Sequence, residues 1–336
     1  MRIVANSVGL DYHDASVQVC VLSPTGELLG NARCRNDRSS IVSYAEGFGA
    51  VGAAAMESCT GAADLAEELV SQAGWSVSLG HPGYVRRMKQ NPDKTDYGDA
   101  RMLADLVRVG YLPRVWLAPQ EVRELRRLVR YRQQLADERR NVKLRIRALL
   151  RDHRVPPGPR SPWSRAWRAW LKDLSLGSQS DWVMARHLRR LESLTLEVRE
   201  AEARLAEVTA EDVVVSRLLT LPGIGLVTAC ALRAEIGRFD RFRSGKQLAR
   251  FCGLTPRNAS SGQRQADAGL IRAGNPQLRA VLIEAAQRLM RWDPRWSALG
   301  RRLRGRGKPY NVAAAAVGNR WVRWMYQEMR TIEQAA

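Results

Sequence analysis

The chain has 336 residues, with 54 Lys and Arg against 34 Asp and Glu, a formal net charge of +20 and a pI near 10.7. That length leaves room for two or three domains, and the charge favours a polyanionic partner: DNA, RNA or an anionic membrane surface. The membrane option is the weakest, because no apolar stretch is long enough to span a bilayer.

Residues 2–10 read as a buried strand that runs into Asp11. Residues 16–22 alternate apolar and polar, the pattern of a half-buried strand. Ser23-Pro24-Thr25-Gly26 signals a turn, and residues 27–33 return as a third strand. A helix is expected near 38–48, a small apolar strand over 51–56, a helix over 61–73, a strand from Trp75 to Leu79 and a helix over 97–109. An antiparallel meander followed by alternating helices and strands predicts a mixed α/β domain.

Residues 119–152 contain no glycine and place Leu125, Leu128, Leu135, Val142, Ile146 and Leu149 at spacings of three to seven. That pattern predicts a long helix in a coiled-coil-like pairing. Val155-Pro156-Pro157-Gly158-Pro159 ends it. Trp163, Trp167 and Trp170 follow, interleaved with Arg165 and Arg168. They suit either stacking on unpaired bases or packing between helices. A second long helix is expected over 181–208, making a helical hairpin or a dimerising arm. From about residue 214 the chain reads as mostly helical.

The acidic residues carry the strongest chemical signal. Asp11 and Glu57 each end an apolar run, and Asp96 and Asp99 lie three apart, on one face of a helix. Clustered carboxylates raise one another's pKa unless a cation neutralises them. Hard oxygen donors suit Mg²⁺, with Mn²⁺ as the other candidate. A basic protein with a carboxylate-bound metal points to phosphodiester chemistry. Taken singly, each acid has a structural explanation: Asp11 as a turn residue, Asp96 as a helix cap, Asp99 as a first-turn residue facing the helix dipole. The four histidines are scattered and give no metal-ligand pattern. Cys20, Cys34, Cys59, Cys230 and Cys252 lack CxxC spacing, which argues against zinc and fits a reducing cytoplasm. Asp11 also falls where a signal peptide would carry its apolar segment, so a cytoplasmic location is expected.

Three further segments concern nucleic acid. Ser261 sits in a Gly/Ser/Asn-rich loop with Arg257, Arg264, Arg272, Asn275 and Arg279 around it. A serine could attack phosphorus there while arginines hold the phosphate oxygens; an ordinary flexible loop is the competing reading. Leu221-Pro222-Gly223-Ile224-Gly225 resembles the hairpin of a helix-hairpin-helix element, in which Gly223 and Gly225 would let backbone N–H groups approach a phosphate. The 119–152 helix offers Arg123, Arg126, Arg127 and Arg130, then Arg139, Arg140 and Lys143, as a row that could track a phosphate backbone.

In this order the motifs resemble the DEDD-type insertion-sequence transposases related to the Piv/MooV invertases, whose better-studied members are guided by a bridge RNA. The first Asp of that family closes strand one, as in Val8-Gly9-Leu10-Asp11. Its Glu lies in a Met/Ile-Glu-x-x-Gly run, matched by Met56-Glu57-Ser58-Cys59-Thr60-Gly61 with one extra residue. Its Lys-Thr-Asp-x-x-Asp-Ala-Arg is matched from Lys94 through Arg101. Pro222 to Gly225, Gly253 to Pro256 and Ser261-Gly262 match its second domain. The chain departs at Arg272-Ala273-Gly274-Asn275, where members often carry Lys-x-Gly-Asn.

The resemblance implies a RuvC-like (RNase H-type) DEDD domain at 1–115, a helical coiled-coil-like arm at 116–212 and a mostly α C-terminal transposase domain at 213–336. It implies that Ser261 forms a phosphoserine link to DNA while Asp11, Glu57, Asp96 and Asp99 hold Mg²⁺. It further implies a homodimer or homotetramer with composite active sites, and a structured guide RNA that pairs with donor and target DNA. Three alternatives stay open: a metal-dependent nuclease or junction resolvase using only the carboxylates, a non-catalytic nucleic-acid scaffold, and a DNA-only invertase.

Overall fold

A computed structural model describes residues 5–88, 95–159, 161–259 and 267–333. Close packing divides the chain into two compact units, Met1–Pro119 and Gln120–Ala336.

The first unit contains β1 (Asn6–Tyr12), β2 (Ser16–Leu22), β3 (Leu28–Arg35), α1 (Arg38–Glu46), β4 (Val51–Glu57), α2 (Ala62–Ala73), β5 (Val77–Gly80), α3 (Pro82–Met88), α4 (Asp96–Arg108) and β6 (Arg114–Val115). Its sheet has the order β3-β2-β1-β4-β5-β6. The first three strands form the antiparallel meander; β4 and β5 run parallel to β1, and β6 closes the edge antiparallel. This mixed sheet with flanking helices is consistent with a RuvC-like, RNase H-type fold. The short α3 and two-residue β6 were not foreseen from sequence, being too brief to show a period.

Strand alternation sorts the core into two faces. Val8, Leu10, Val17, Val19, Val21 and Met56 pack with Ile41 of α1 and Leu65 and Leu69 of α2. On the other face Cys20, Leu22 and Ala55 meet α3 and α4, through Val85, Ala100, Leu103 and Ala104. Gly9 also lies on this second face, and α4 crosses it at backbone contact. A Cβ on Gly9 would sit 1.9 Å from the Ala100 carbonyl oxygen and 2.4 Å from the Ala104 nitrogen.

The second unit opens with α5 (Gln120–Asp152), α6 (Arg165–Lys172) and α7 (Ser178–Val208). Helices α5 and α7 lie antiparallel: Arg132 Nε donates to Glu202 Oε1 (3.0 Å) and Arg190 donates to Glu138 (2.8 Å). Leu135, Val142, Ile146, Leu191, Leu194 and Val198 fill the seam. Trp167 is buried there at 4% exposure, with Trp163 and Trp170 packed around it. Trp167 therefore serves packing, while Trp163 and Trp170 are half-buried beside it.

Next come α8 (Val213–Leu219), α9 (Leu226–Ile236), α10 (Gly245–Phe251), β7 (Pro256–Asn258), β8 (Asp267–Leu270), α11 (Pro276–Trp292), α12 (Pro294–Gly305) and α13 (Tyr310–Glu333). The helices among them share one apolar core that also takes in Val129 of α5 and Leu205 of α7. The stretch from Gly253 to Gly262, expected to be loop throughout, contains β7, which pairs antiparallel with β8. Among the described residues no helix is long and apolar enough to cross a membrane.

Candidate functional site

The close approach at Gly9 positions the acidic residues. Helix α4 runs antiparallel to β1, so one turn from Ala100 toward the helix start reaches Asp96, while two residues along the strand from Gly9 reaches Asp11. Gly9 and Asp11 lie on the same side of β1 because strand side chains alternate, and His13, one residue past the strand, brings its imidazole to Asp11. His13 Nε2 lies 3.3 Å from Asp11 Oδ2 and 3.4 Å from Asp96 Oδ2. The three side chains each offer a donor atom within 4.8 Å of the others, the spacing of a cation-sized site.

Glu57 arrives from the neighbouring strand. The parallel register sets Leu10 beside Met56, so Asp11 lies alongside Glu57 at the same sheet end. Asp99 is buried at 9% exposure in the first turn of α4. Burial is the main cause that raises the Asp11 pKa above 3.8; His13 opposes it, while Asp99 and Asp96 push it further up. The four predicted acids thus gather at one sheet end. Among the described residues, the tight donor group is Asp11, His13 and Asp96; Glu57 and Asp99 stand outside it.

Two expectations change here. The histidines were read as patternless, yet His13 is part of the cluster. The i, i+2, i+4 spacing of Gly9, Asp11 and His13 was the available signal. Asp96 was weighed as a helix cap, but Thr95 fills that place, its hydroxyl accepting from Gly98 N at 3.1 Å. Asp96 is then a first-turn carboxylate near the positive end of the helix dipole.

In the second unit Ser261 and Arg264 lie outside the described residues. The strands β7 and β8, one on each side of them in sequence, are described and pair antiparallel. Arg257 and Arg272 are exposed. Arg279 is not aimed at solvent: its Nε donates to Gly253 O (3.0 Å) and its Nη2 to Ile271 O (2.8 Å). Asn275 caps α11 through Oδ1 and donates from Nδ2 to Glu235 (2.8 Å). Arg279 and Asn275 therefore hold the hairpin base rather than present themselves to a phosphate.

The arginine row on α5 also divides. Arg123 is buried, and Arg126 and Arg130 converge on buried Glu235, at 3.7 and 2.9 Å. Burial lowers the Arg126 pKa, and Glu235 opposes that shift. Arg127 and Arg140 are exposed, each beside a carboxylate on the same helix, Glu124 and Asp137. Exposed pairs of this kind hold weakly and leave the cation able to meet a phosphate. Arg139 is half-buried. Lys143 sits 5.2 Å over the Trp163 ring, and burial lowers its pKa ahead of the repulsion from Arg139 and Arg168.

Gly223 has φ +78°, a left-handed backbone that glycine accommodates, and a Cβ there would strike Leu289 at 2.8 Å. Gly225 occupies the N-cap position of α9 without a side-chain cap. A cavity of about 690 Å³ opens beside this turn, bordered by Arg132, Arg140, Gly225, Thr228 and Arg288. It lies within the second unit and contains none of the clustered acids.

Two family models match the chain. An IS110-type DEDD transposase model covers residues 8–154, and a second, described as transposase IS116/IS110/IS902 family, covers residues 215–301. The chain belongs to the IS110 family of DEDD transposases. It is 27% identical over 293 residues to the transposase for insertion sequence element IS1111A of Coxiella burnetii, covering 84% of this chain and 78% of that one. The transposase for insertion sequence element IS1328 of Yersinia enterocolitica is 28% identical over 287 residues, 83% of this chain and 84% of its own. The y4qE protein of Sinorhizobium fredii is 28% identical over 261 residues; there the match spans 62% of the relative's length and 76% of this chain. The first model match contains Asp11, His13, Glu57, Asp96 and Asp99, so the family assignment and the geometry fall on the same residues.

Proposed function

We propose that this IS110-family transposase cuts and rejoins DNA with a divalent cation, Mg²⁺ or Mn²⁺, at the end of its mixed sheet. The observation that carries the reading is the convergence of Asp11, His13 and Asp96 donors within 4.8 Å from two non-adjacent segments. The carboxylates of Asp11 and Asp96 suit a hard divalent ion and would supply charge, while the softer imidazole nitrogen of His13 would suit Mn²⁺ better than Mg²⁺. Such an ion lends Lewis acidity to a phosphodiester and lowers the pKa of an attacking group. Glu57 and Asp99 add negative charge beside it. Asp96 lies in the first turn of α4.

The fuller reading adds the second unit. A RuvC-like domain (1–115), a helical arm (116–212) and a C-terminal domain (213–336) would act together, with Ser261 as nucleophile. The Ser261 Oγ–P bond forms, one P–O ester bond of the DNA breaks, the serine proton passes to a base, and the leaving oxygen takes up a proton. A structured guide RNA and a dimer or tetramer with composite sites complete this reading, which rests on the family resemblance. A nuclease or resolvase acting through the carboxylates alone is the second reading, supported by the convergence of Asp11, His13 and Asp96.

One experiment addresses both. Protein, Mg²⁺, cognate DNA and flanking non-coding RNA are combined and resolved on a denaturing gel, beside Asp96→Asn and Ser261→Ala. Loss of all cleavage in Asp96→Asn is the expected result, and unaltered cleavage there would end the metal-site reading. A protein–DNA adduct that vanishes in Ser261→Ala supports the serine step. Cleavage without an adduct, indifferent to that substitution, leaves the carboxylate-only reading.

A further inference from the structure

A one-signed surface of the second unit lies away from every motif used so far. Between Arg291 and Lys308 seven Lys and Arg side chains are exposed. The one carboxylate in that stretch, Asp293, is committed to capping α12, accepting from Trp296 N at 3.1 Å. Among the described residues none of the seven cations pairs with a carboxylate. Beside them stands Trp292 at the end of α11, 82% exposed, the most exposed large hydrophobic side chain among the described residues.

The two features need a common explanation. A tryptophan left in water forfeits the burial that usually places it inside. An unpaired cationic row repels itself unless an anion covers it. A single nucleic-acid strand meets both demands, with phosphates for the arginines and a base face for the indole. A duplex offers phosphates but keeps its base faces stacked. A lipid surface would need an apolar helix face, and α12 has already spent its own. Trp296 is 4% exposed and Gly300 is buried against the Met290 side chain.

The arginines are also pre-placed. Arg295 lies 4.8 Å over the Trp296 ring and 5.7 Å over Trp324, and Arg304 lies 5.8 Å over Tyr310. Stacked guanidinium groups lose less freedom on meeting a phosphate than free ones do. Arg295 and Arg302 are seven residues apart on α12 and so project from one side of it, two turns apart.

We propose that Trp292 and the solvent face of α12 form a binding surface for single-stranded DNA, Trp292 stacking on an unpaired base while Arg295, Arg302 and Arg306 hold the flanking phosphates. The inference deepens the DNA-processing reading above and rests on it for the choice of DNA. Strand exchange exposes unpaired DNA, and a surface of this kind would retain it.

The test measures affinity, not cleavage, so it stands apart from the metal site. Full-length protein is titrated against fluorescein-labelled oligothymidylate, the matching duplex, oligouridylate and phosphatidylserine vesicles. Trp292→Ala is expected to weaken oligothymidylate binding about tenfold, as loss of one stacked base implies, and to leave duplex binding within about twofold. Trp292→Phe should restore most of the loss. Arg302→Gln with Arg306→Gln should reduce the salt dependence by roughly 0.7 per cation removed. Because Trp292 is exposed, melting temperatures should match the parent, which separates lost binding from lost folding. Unchanged oligothymidylate affinity in Trp292→Ala would overturn the proposal. So would a Trp292-dependent affinity confined to oligouridylate, or to vesicles. A failed Asp96→Asn cleavage test with these affinities intact would remove the metal reading and leave this surface standing.

Discussion

Asp11 illustrates how one residue reports its surroundings. Burial raises its pKa, with Asp99 and Asp96 adding to the effect, so in metal-free protein the charged form is disfavoured by folding. A raised carboxyl pKa contributes stability below the unfolded value, and that contribution is lost as pH rises through the folded value. Asp11→Asn is therefore expected to melt higher than the parent in chelator at neutral pH. The difference should shrink as pH falls toward 3.8, the ordinary value. Added Mg²⁺ or Mn²⁺ should reverse the order, stabilising the parent and not the variant. A thermal melt series in pH and metal checks both signs. Gly9 is a second residue-scale case. Gly9→Ala would force the new methyl into the α4 backbone, and is expected to destabilise by about 1–3 kcal/mol. It should also weaken metal-dependent stabilisation, because α4 carries Asp96. The position of Gly9 in an apolar run was plain in the sequence; the helix that presses on it was not, since that helix lies some ninety residues on.

At the scale of elements, local pattern was informative where an element satisfies its own periodicity. The alternation over 16–22 and the heptad-like spacing of 119–152 correspond closely to β2 and α5. The acidic cluster was legible as residue types but not as a set of ligands. His13 joins Asp96 only through the docking of α4 on β1, a long-range contact that no local period encodes. The arginine row divides for a related reason. Helical spacing shows which face a side chain occupies, but Arg126 and Arg130 turn inward because Glu235 waits on α9 with 5% exposure. That carboxylate ties α5, α9 and the cap of α11 together. Removing one member of such a buried network leaves uncompensated charge, so Glu235→Ala is expected to cost about 3–5 kcal/mol. Urea unfolding would measure it, and a loss under about 1 kcal/mol would show that the hub is dispensable.

For the molecule as a whole, the charge of +20 makes every affinity for nucleic acid a function of salt. The structure separates arginines that can answer to salt from those that cannot. Arg127→Gln and Arg140→Gln alter exposed cations and should each lower the slope of log affinity for duplex DNA against log salt by about 0.9. Arg279→Gln removes donors to Gly253 and Ile271 carbonyls, and should lower the melting temperature while leaving that slope unchanged. Equal slopes for all three variants would contradict the division drawn here between surface and structural arginines.

The distance along the chain between His13 and Asp96 has a consequence for the life of the protein in a cell. On the metal reading proposed above, neither segment makes the site alone, since Asp11 and His13 gain their third donor only when α4 has packed against Gly9. A ribosome that has released only the first five strands has made a sheet edge with no reagent on it. The cation site of that reading is therefore assembled only once α4 has folded onto β1, late in the synthesis of the first unit.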